Sequence, residues 1–165
     1  MLPFLRLAKV LLRPAPKGAT DALAGASVRF RTWPNDLDLN RHMNNSRYLA
    51  LMDLGRYDLT RKVGLLQACR RNKWFPVVGK VDIRFRRSLG PFRSFTLHTR
   101  VLGWDEKRFW LEQRFLRGDA VVAEATVRAV FLSKQGTVPT ATVLAAIGET
   151  RPSPDLANVL PAPPI

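Results

Sequence analysis

The sequence predicts an α+β fold, an antiparallel sheet of five or six strands wrapped around one long central helix. Three observations predict it. Tyr48, Met52, Gly55, Leu59, Val63 and Leu66 fall on one stripe at helical spacing, with asparagines just ahead of them. Four later segments alternate apolar and polar residues, as half-buried strands do. Glycine-containing turns punctuate those segments.

Composition bounds the function. A chain of 165 residues that is 46% hydrophobic forms one domain with a sizeable core. Cys69 is the single cysteine, which rules out an internal disulfide and a cysteine-built zinc site. The two histidines, His42 and His98, argue against an all-histidine metal site. A formal charge of +14 points to an anionic partner: nucleic acid, an anionic membrane surface or a polyanionic small molecule. The arginines are scattered, and no zinc-finger spacing, RRM signature or Walker loop is present. No nucleic-acid partner is therefore expected. A cytoplasmic location is expected, with membrane association as the alternative.

In chain order, residues 1–26 read as an amphipathic helix and a linker. On a helix, Arg6, Lys9 and Arg13 share one side, and Phe4, Leu7, Ala8 and Leu11 the other. Such a helix either lies on a membrane or packs on a protein surface. It is too short and too charged to span a bilayer. It also lacks the apolar core of a signal peptide. Residues 27–133 read as the main domain. Residues 27–33 alternate and form the first strand. The helix follows, stopping at Gly64 or running to about Arg71. Asp58 with Arg61 and Lys62 suggests surface ion pairs. Gly55 lies mid-stripe, where glycine weakens a helix, so another backbone is expected to approach there. Strands are then expected around Val81–Phe85, Phe95–Val101, Phe109–Phe115 and Val121–Phe131, joined as hairpins. The alanines of the last strand leave room for the helix to pack. Residues 134–165 read as a short helix, Thr140 to Ile147, and a proline-rich tail, extended or disordered from Gly148. A sheet covered on one face invites dimerisation.

The polar loop between the first strand and the helix carries the chemistry. It reads Asp36-Leu37-Asp38-Leu39-Asn40-Arg41-His42-Met43-Asn44-Asn45-Ser46-Arg47-Tyr48. A helix start presents amide N–H groups that tolerate an anionic intermediate. Asp38 is either a carboxylate for catalysis or a cap for loop amides. Asp36 reads as structural, His42 as a loop or substrate-positioning residue, and Asn44 and Asn45 as caps. Tyr48 heads the buried stripe.

This motif, with the strand–helix–four-strand order, resembles the hotdog-fold acyl-CoA thioesterases of the 4-hydroxybenzoyl-CoA thioesterase-like superfamily. It looks most like the THEM6-like branch. The family pattern is Asp-x-Asp-x-x-Gly-His-Val/Met-Asn-Asn-x-x-Tyr. The resemblance implies hydrolysis of a coenzyme A thioester without a further cofactor or metal. It implies catalytic roles at Asp38, His42 and Asn45, with Asp53 on the helix as a second candidate acid. It implies substrate contacts from Asp36, Arg41, Met43, Asn44 and Tyr48, with Arg84, Arg86 and Arg87 for the phosphates. A homodimer or a dimer of dimers is implied, with peripheral membrane contact through residues 1–13 as a further possibility. The family glycine before the histidine is Arg41 here, an exchange expected to alter the turn. A non-catalytic protein that binds acyl-CoA or lipid at a membrane surface is the alternative.

Overall fold

The computed structural model describes residues 20–160 together with Arg6, Ala8, Val10 and Leu12. Six strands form one antiparallel sheet: β1 (Ala26–Arg31), β2 (Phe75–Phe85), β3 (Ser94–Trp104), β4 (Phe109–Arg117), β5 (Ala120–Ser133) and β6 (Gly136–Val138). The spatial order is β1–β3–β4–β5–β2, and β6 folds back onto the end of β5. The sheet therefore continues five residues beyond the expected domain limit at 133.

The long helix is broken where glycine permits it. Helix α1 (Asn45–Lys62) ends before Gly64, whose φ of 81° is left-handed, and α2 (Leu65–Asn72) restarts at once. Asn44 is the N-cap, its side chain accepting from Ser46 N. Tyr48, Met52, Gly55, Leu59 and Val63 are buried as the stripe requires. The helix packs on β1 and β3. Contact is close at Gly55, where a Cβ would lie 2.7 Å from Thr99 Oγ1 and 2.8 Å from Leu97 Cδ2. The close approach expected at Gly55 is present, but it is made by the side chains of Thr99, Leu97 and Gln113 and not by another backbone. Asp58 does meet Arg61 (3.0 Å) and Lys62 (2.6 Å), but its side chain is fully buried, so these are not surface pairs.

The expected hairpin between β2 and β3 does not form. β2 pairs with β5, and β3 pairs with β1, so residues 86–93 carry the chain from edge strand β2 past β5 and β4 to β3, the strand next to the opposite edge. Leu89 anchors the crossing: it is 0% exposed, and its carbonyl accepts from Met43 N at 2.8 Å. Thr32 ties it further, donating through Oγ1 to Gly90 O and accepting from Arg93 N. β2 also starts earlier than its alternation suggested. A bulge between Val78 and Lys80 breaks the period, which hides residues 75–79 from a search for alternation.

The tail to residue 160 is ordered onto the domain rather than extended away from it. Helix α3 (Thr140–Ala145) lies where a helix was expected. Beyond it, Trp104 N donates to Ser153 Oγ, and Leu156 of α4 (Leu156–Val159) sits against Gly103. Arg151 bridges Glu149 and Asp21, holding both carboxyls down at about 2 through hydrogen bonds from its guanidinium. Of the N-terminal segment, Arg6, Ala8 and Val10 are helical. Arg6 faces inward and is buried, so it does not join an exposed basic face. The rest of the proposed membrane-contacting segment lies outside the described residues. No helix among the described residues is long and apolar enough to cross a membrane.

Gly55→Ala forces a methyl group into the Thr99 and Leu97 contact. It should lower unfolding stability by about 2 kcal/mol, measured by urea denaturation, despite alanine's better helix propensity.

Candidate functional site

The polar loop is a small closed hairpin. Asp38 Oδ1 accepts from Asn40 N (2.9 Å) and His42 N (3.2 Å). Asp38 N donates to His42 O, and Arg41 N donates to Asp38 O. A bridge between Leu37 and Met43 closes the base. Asp38 is half-buried, whereas Arg41, the His42 ring and Asn45 are exposed. Arg41 has a φ of 61°, so it keeps the left-handed turn that glycine would make there. The expected change of turn does not occur.

Asp36 performs a different task. It is 1% exposed, and its carboxylate takes two hydrogen bonds from the Arg6 guanidinium (2.8 and 2.5 Å). Its Oδ2 also accepts from Trp33 N at 2.8 Å, and its carbonyl accepts from Asn44 N at 2.8 Å. Asp36 therefore fixes both ends of the loop from inside. The sequence held no signal for Arg6, which lies thirty positions away.

Two aromatic contacts join the helix start to the sheet. Tyr48 meets Phe85 with ring centroids 5.0 Å apart and Phe115 at 4.9 Å. Burial pushes the Tyr48 phenol up to about 12, so it stays protonated at neutral pH. Through Phe85, the end of β2 lies beside the first turn of α1. Just past it, Arg86, Arg87 and Arg117 line a basic cleft. Arg86 is paired with Glu124 on the outer face of the sheet. Arg84 stands in register with Glu124 and lies outside this cleft. Arg117 joins the cleft because β4 and β5 turn at Gly118, a placement its own sequence neighbourhood does not announce.

Asp53 lies further along α1, with its side chain 72% exposed and paired with Arg56. Arg56 also donates to Gln113 Oε1 (2.6 Å). Gln113, fully buried on the inner face, donates in turn to Met52 O and Thr99 Oγ1, both at 2.9 Å. This network was missed. Its one signal was a glutamine in an inward register otherwise filled by Phe109, Leu111 and Phe115. Desolvation lowers the Arg56 pKa from its ordinary value, and Asp53 opposes that shift.

A cavity of about 580 Å³ opens beside this network. It lies between the second half of α1, α2, α3 and the inner faces of β4 and β5. Ala129 was expected to lie under the helix; instead it borders this space. Among the described residues, no group of three or more His, Cys, Asp or Glu side chains could hold a metal ion.

Arg41→Gly should raise stability by about 0.5–1 kcal/mol in urea denaturation. Relief of left-handed strain outweighs the added entropy of the unfolded chain.

A model of the Thioesterase-like superfamily matches residues 32–160. The chain is 41% identical to Protein THEM6 of Danio rerio over 118 residues, covering 72% of this chain and 56% of that protein. It is 38% identical to Protein THEM6 of Xenopus laevis over 133 residues, covering 80% of this chain and 62% of that protein. The chain thus spans less than two thirds of the length of these curated relatives. Among solved structures, the Probable Thioesterase from Bartonella henselae superposes with a TM-score of 0.63 and 26% identity, covering 70% of this chain and 97% of that one. With its curled antiparallel sheet, its buried helix and the matched span taken together, the chain belongs to the thioesterase-like superfamily and has the hotdog fold.

Proposed function

We propose that this protein hydrolyses acyl-CoA thioesters at the loop that precedes α1, acting as a homodimer. One arrangement carries the reading. The Asp38 loop, the start of α1 and the arginine cleft lie at one end of the molecule, joined by the Met43–Leu89 bond and the Tyr48–Phe85 contact. Each of the three parts suits one part of the substrate.

The thioester carbonyl lies against the start of α1. Asn44 N, Ser46 N and Arg47 N are bonded within the protein, so the Asn45 N–H and the helix dipole are left to polarise it and stabilise the oxyanion as it forms. Asp38 is held through Oδ1 by two loop amides, so its other oxygen, Oδ2, is aimed by a rigid support. Oδ2 takes a proton from water as the water oxygen adds to the carbonyl carbon. The C–S bond then breaks, and the coenzyme A thiolate leaves and is protonated. The products are the free acid and coenzyme A. Arg86, Arg87 and Arg117 receive the phosphates of the nucleotide part.

A second copy is needed to cover what one chain leaves open. β2 is an edge strand, and Phe75, Val77, Val78 and Phe85 on it are exposed large apolar residues. Leu49 on α1 is 45% exposed. An edge of eleven residues with this much apolar surface favours pairing with another chain.

The alternative is a protein that binds acyl-CoA without turnover. The observation in its favour is that Asp38 Oδ1 is committed to its own loop. A panel of acyl-CoAs with a thiol-reactive dye separates the two. Wild type should release thiol, and Asp38→Asn should lower kcat/KM by about a hundredfold or more, with Asp53→Asn losing less than about tenfold. Binding without thiol release from any acyl-CoA would establish the alternative. In analytical ultracentrifugation, wild type should sediment as a dimer and Leu49→Arg as a folded monomer. A wild type that stays monomeric at every concentration would sink the dimer.

A further inference from the structure

We infer that Arg6 is a positioning residue for the proposed reaction: its guanidinium, entering from the N-terminal segment, holds the root of the loop that carries Asp38. This deepens the thioesterase reading and rests on it for the effect on rate, though not for the order of the loop.

The guanidinium is fixed on several sides. Nη1 donates to Asp36 Oδ1 at 2.8 Å. Nη2 donates to Asp36 Oδ2 at 2.5 Å and to Arg31 O at 2.8 Å. One planar group thus joins the last residue of β1 to the entry of the loop. The helical turn that delivers it is itself anchored. Arg6 and Val10 share one helix face at a spacing of i,i+4, and Val10 is 0% exposed within the core. Arg6 lies outside residues 32–160, so the span matched by the superfamily model does not supply this support.

Both parts of the proposed chemistry project from the root that Arg6 steadies. Asp36 O accepts from Asn44 N, and the next rung is the bridge between Leu37 and Met43. Asp38 stands on the hairpin beyond that rung, and Asn45, the first residue of α1, follows Asn44 directly. A tilt of Asp36 therefore moves the water-activating carboxylate and the Asn45 N–H against each other. A misplacement of about 1 Å in such an arrangement costs on the order of a hundredfold in rate.

The pair is poorly suited to serve stability alone. Arg6 and Asp36 are both buried, and Arg6 Nε has no hydrogen-bond partner among the described residues. A desolvated ion pair with an orphaned donor gains little over a well-packed apolar pair; what it adds is fixed geometry. Arg47 does not duplicate it. Its Nε stands 4.0 Å from Asp36 Oδ1, and its Nη2 donates to Asn35 O.

The test compares the full wild-type chain with Arg6→Ala and Arg6→Lys. Hydrogen–deuterium exchange reads the loop with no substrate present. In Arg6→Ala, peptides covering residues 33–44 should exchange at least about tenfold faster, while those from β3, β4 and β5 stay unchanged. Hydrolysis of the acyl-CoA that wild type turns over best reads the chemistry. Arg6→Ala should lose at least about tenfold in kcat, with KM changed less than about threefold. Low-millimolar methylguanidinium, far below the molar range that unfolds proteins, should restore part of that kcat saturably, and methylammonium should not. A general loss of folded protein would show no such selectivity. Arg6→Lys keeps the charge without the planar fork. It should melt as wild type does and lose at least about threefold in kcat.

Loop exchange that is unchanged in folded Arg6→Ala would overturn the inference. So would a loss confined to KM, or equal rescue by the two cations. If Arg6→Ala does not fold, wild-type kcat and loop exchange in Arg6→Lys would overturn it instead. Faster loop exchange in Arg6→Ala, with no thioester hydrolysed even by wild type, would support the hold on the loop and remove the reaction.

Discussion

The closeness of α1 to the sheet at Gly55 is the constraint on which this molecule is built. A side chain there would collide with Thr99 and Leu97, so only glycine lets the helix settle at this depth. The gap is then spanned by Gln113, which reaches up from β4 to the Met52 carbonyl and the Arg56 guanidinium. A buried glutamine with its amide and carbonyl both partnered is stable and specific, whereas one left unpaired would be costly. The helix is thereby fixed in height and in rotation about its axis. Its first turn is delivered to the polar loop, and its Asp53–Arg56 flank to the cavity.

Local pattern made much of the fold legible. Alternation found β3, β4 and β5, and helical spacing found α1, because those signals need no knowledge of distant partners. Gly64 was readable as a possible break for the same reason. What stayed hidden was pairing across long stretches of chain. Residues 86–93 look like a hairpin turn, with Gly90 and Pro91 at the centre, yet they carry the chain past Leu89 to β3, which lies three strands away from β2 in the sheet. The tail misled in a similar way. Its prolines suggest an extended segment, but Gly103 provides a seat for Leu156 that composition cannot reveal.

The candidate site divides along the same line. The cluster from Asp36 to Tyr48 is compact in sequence, so it could be found by inspection. The separate duties of its two acids could not. Asp36 turns inward because Arg6 comes to meet it, while Asp38 turns toward its own loop amides. Their spacing in the chain is two residues, which says nothing of that opposition. Arg41 shows the reverse case. A substitution that looked disruptive is absorbed by the backbone, which holds the same left-handed turn under strain.

Because β2 joins β5 and not its successor β3, the order in which the molecule assembles is constrained. β3, β4 and β5 are linked by tight turns and can zip together early, with little entropy lost to loop closure. β1 and β2 must then dock on opposite borders of that triplet, each across a long separation. The helix lies between them in the chain and rests on β1 and β3, so it is lowered onto the sheet as β1 docks. A chain halted before β2 docks leaves the flank of β5 unpaired, an edge on which another chain can pair.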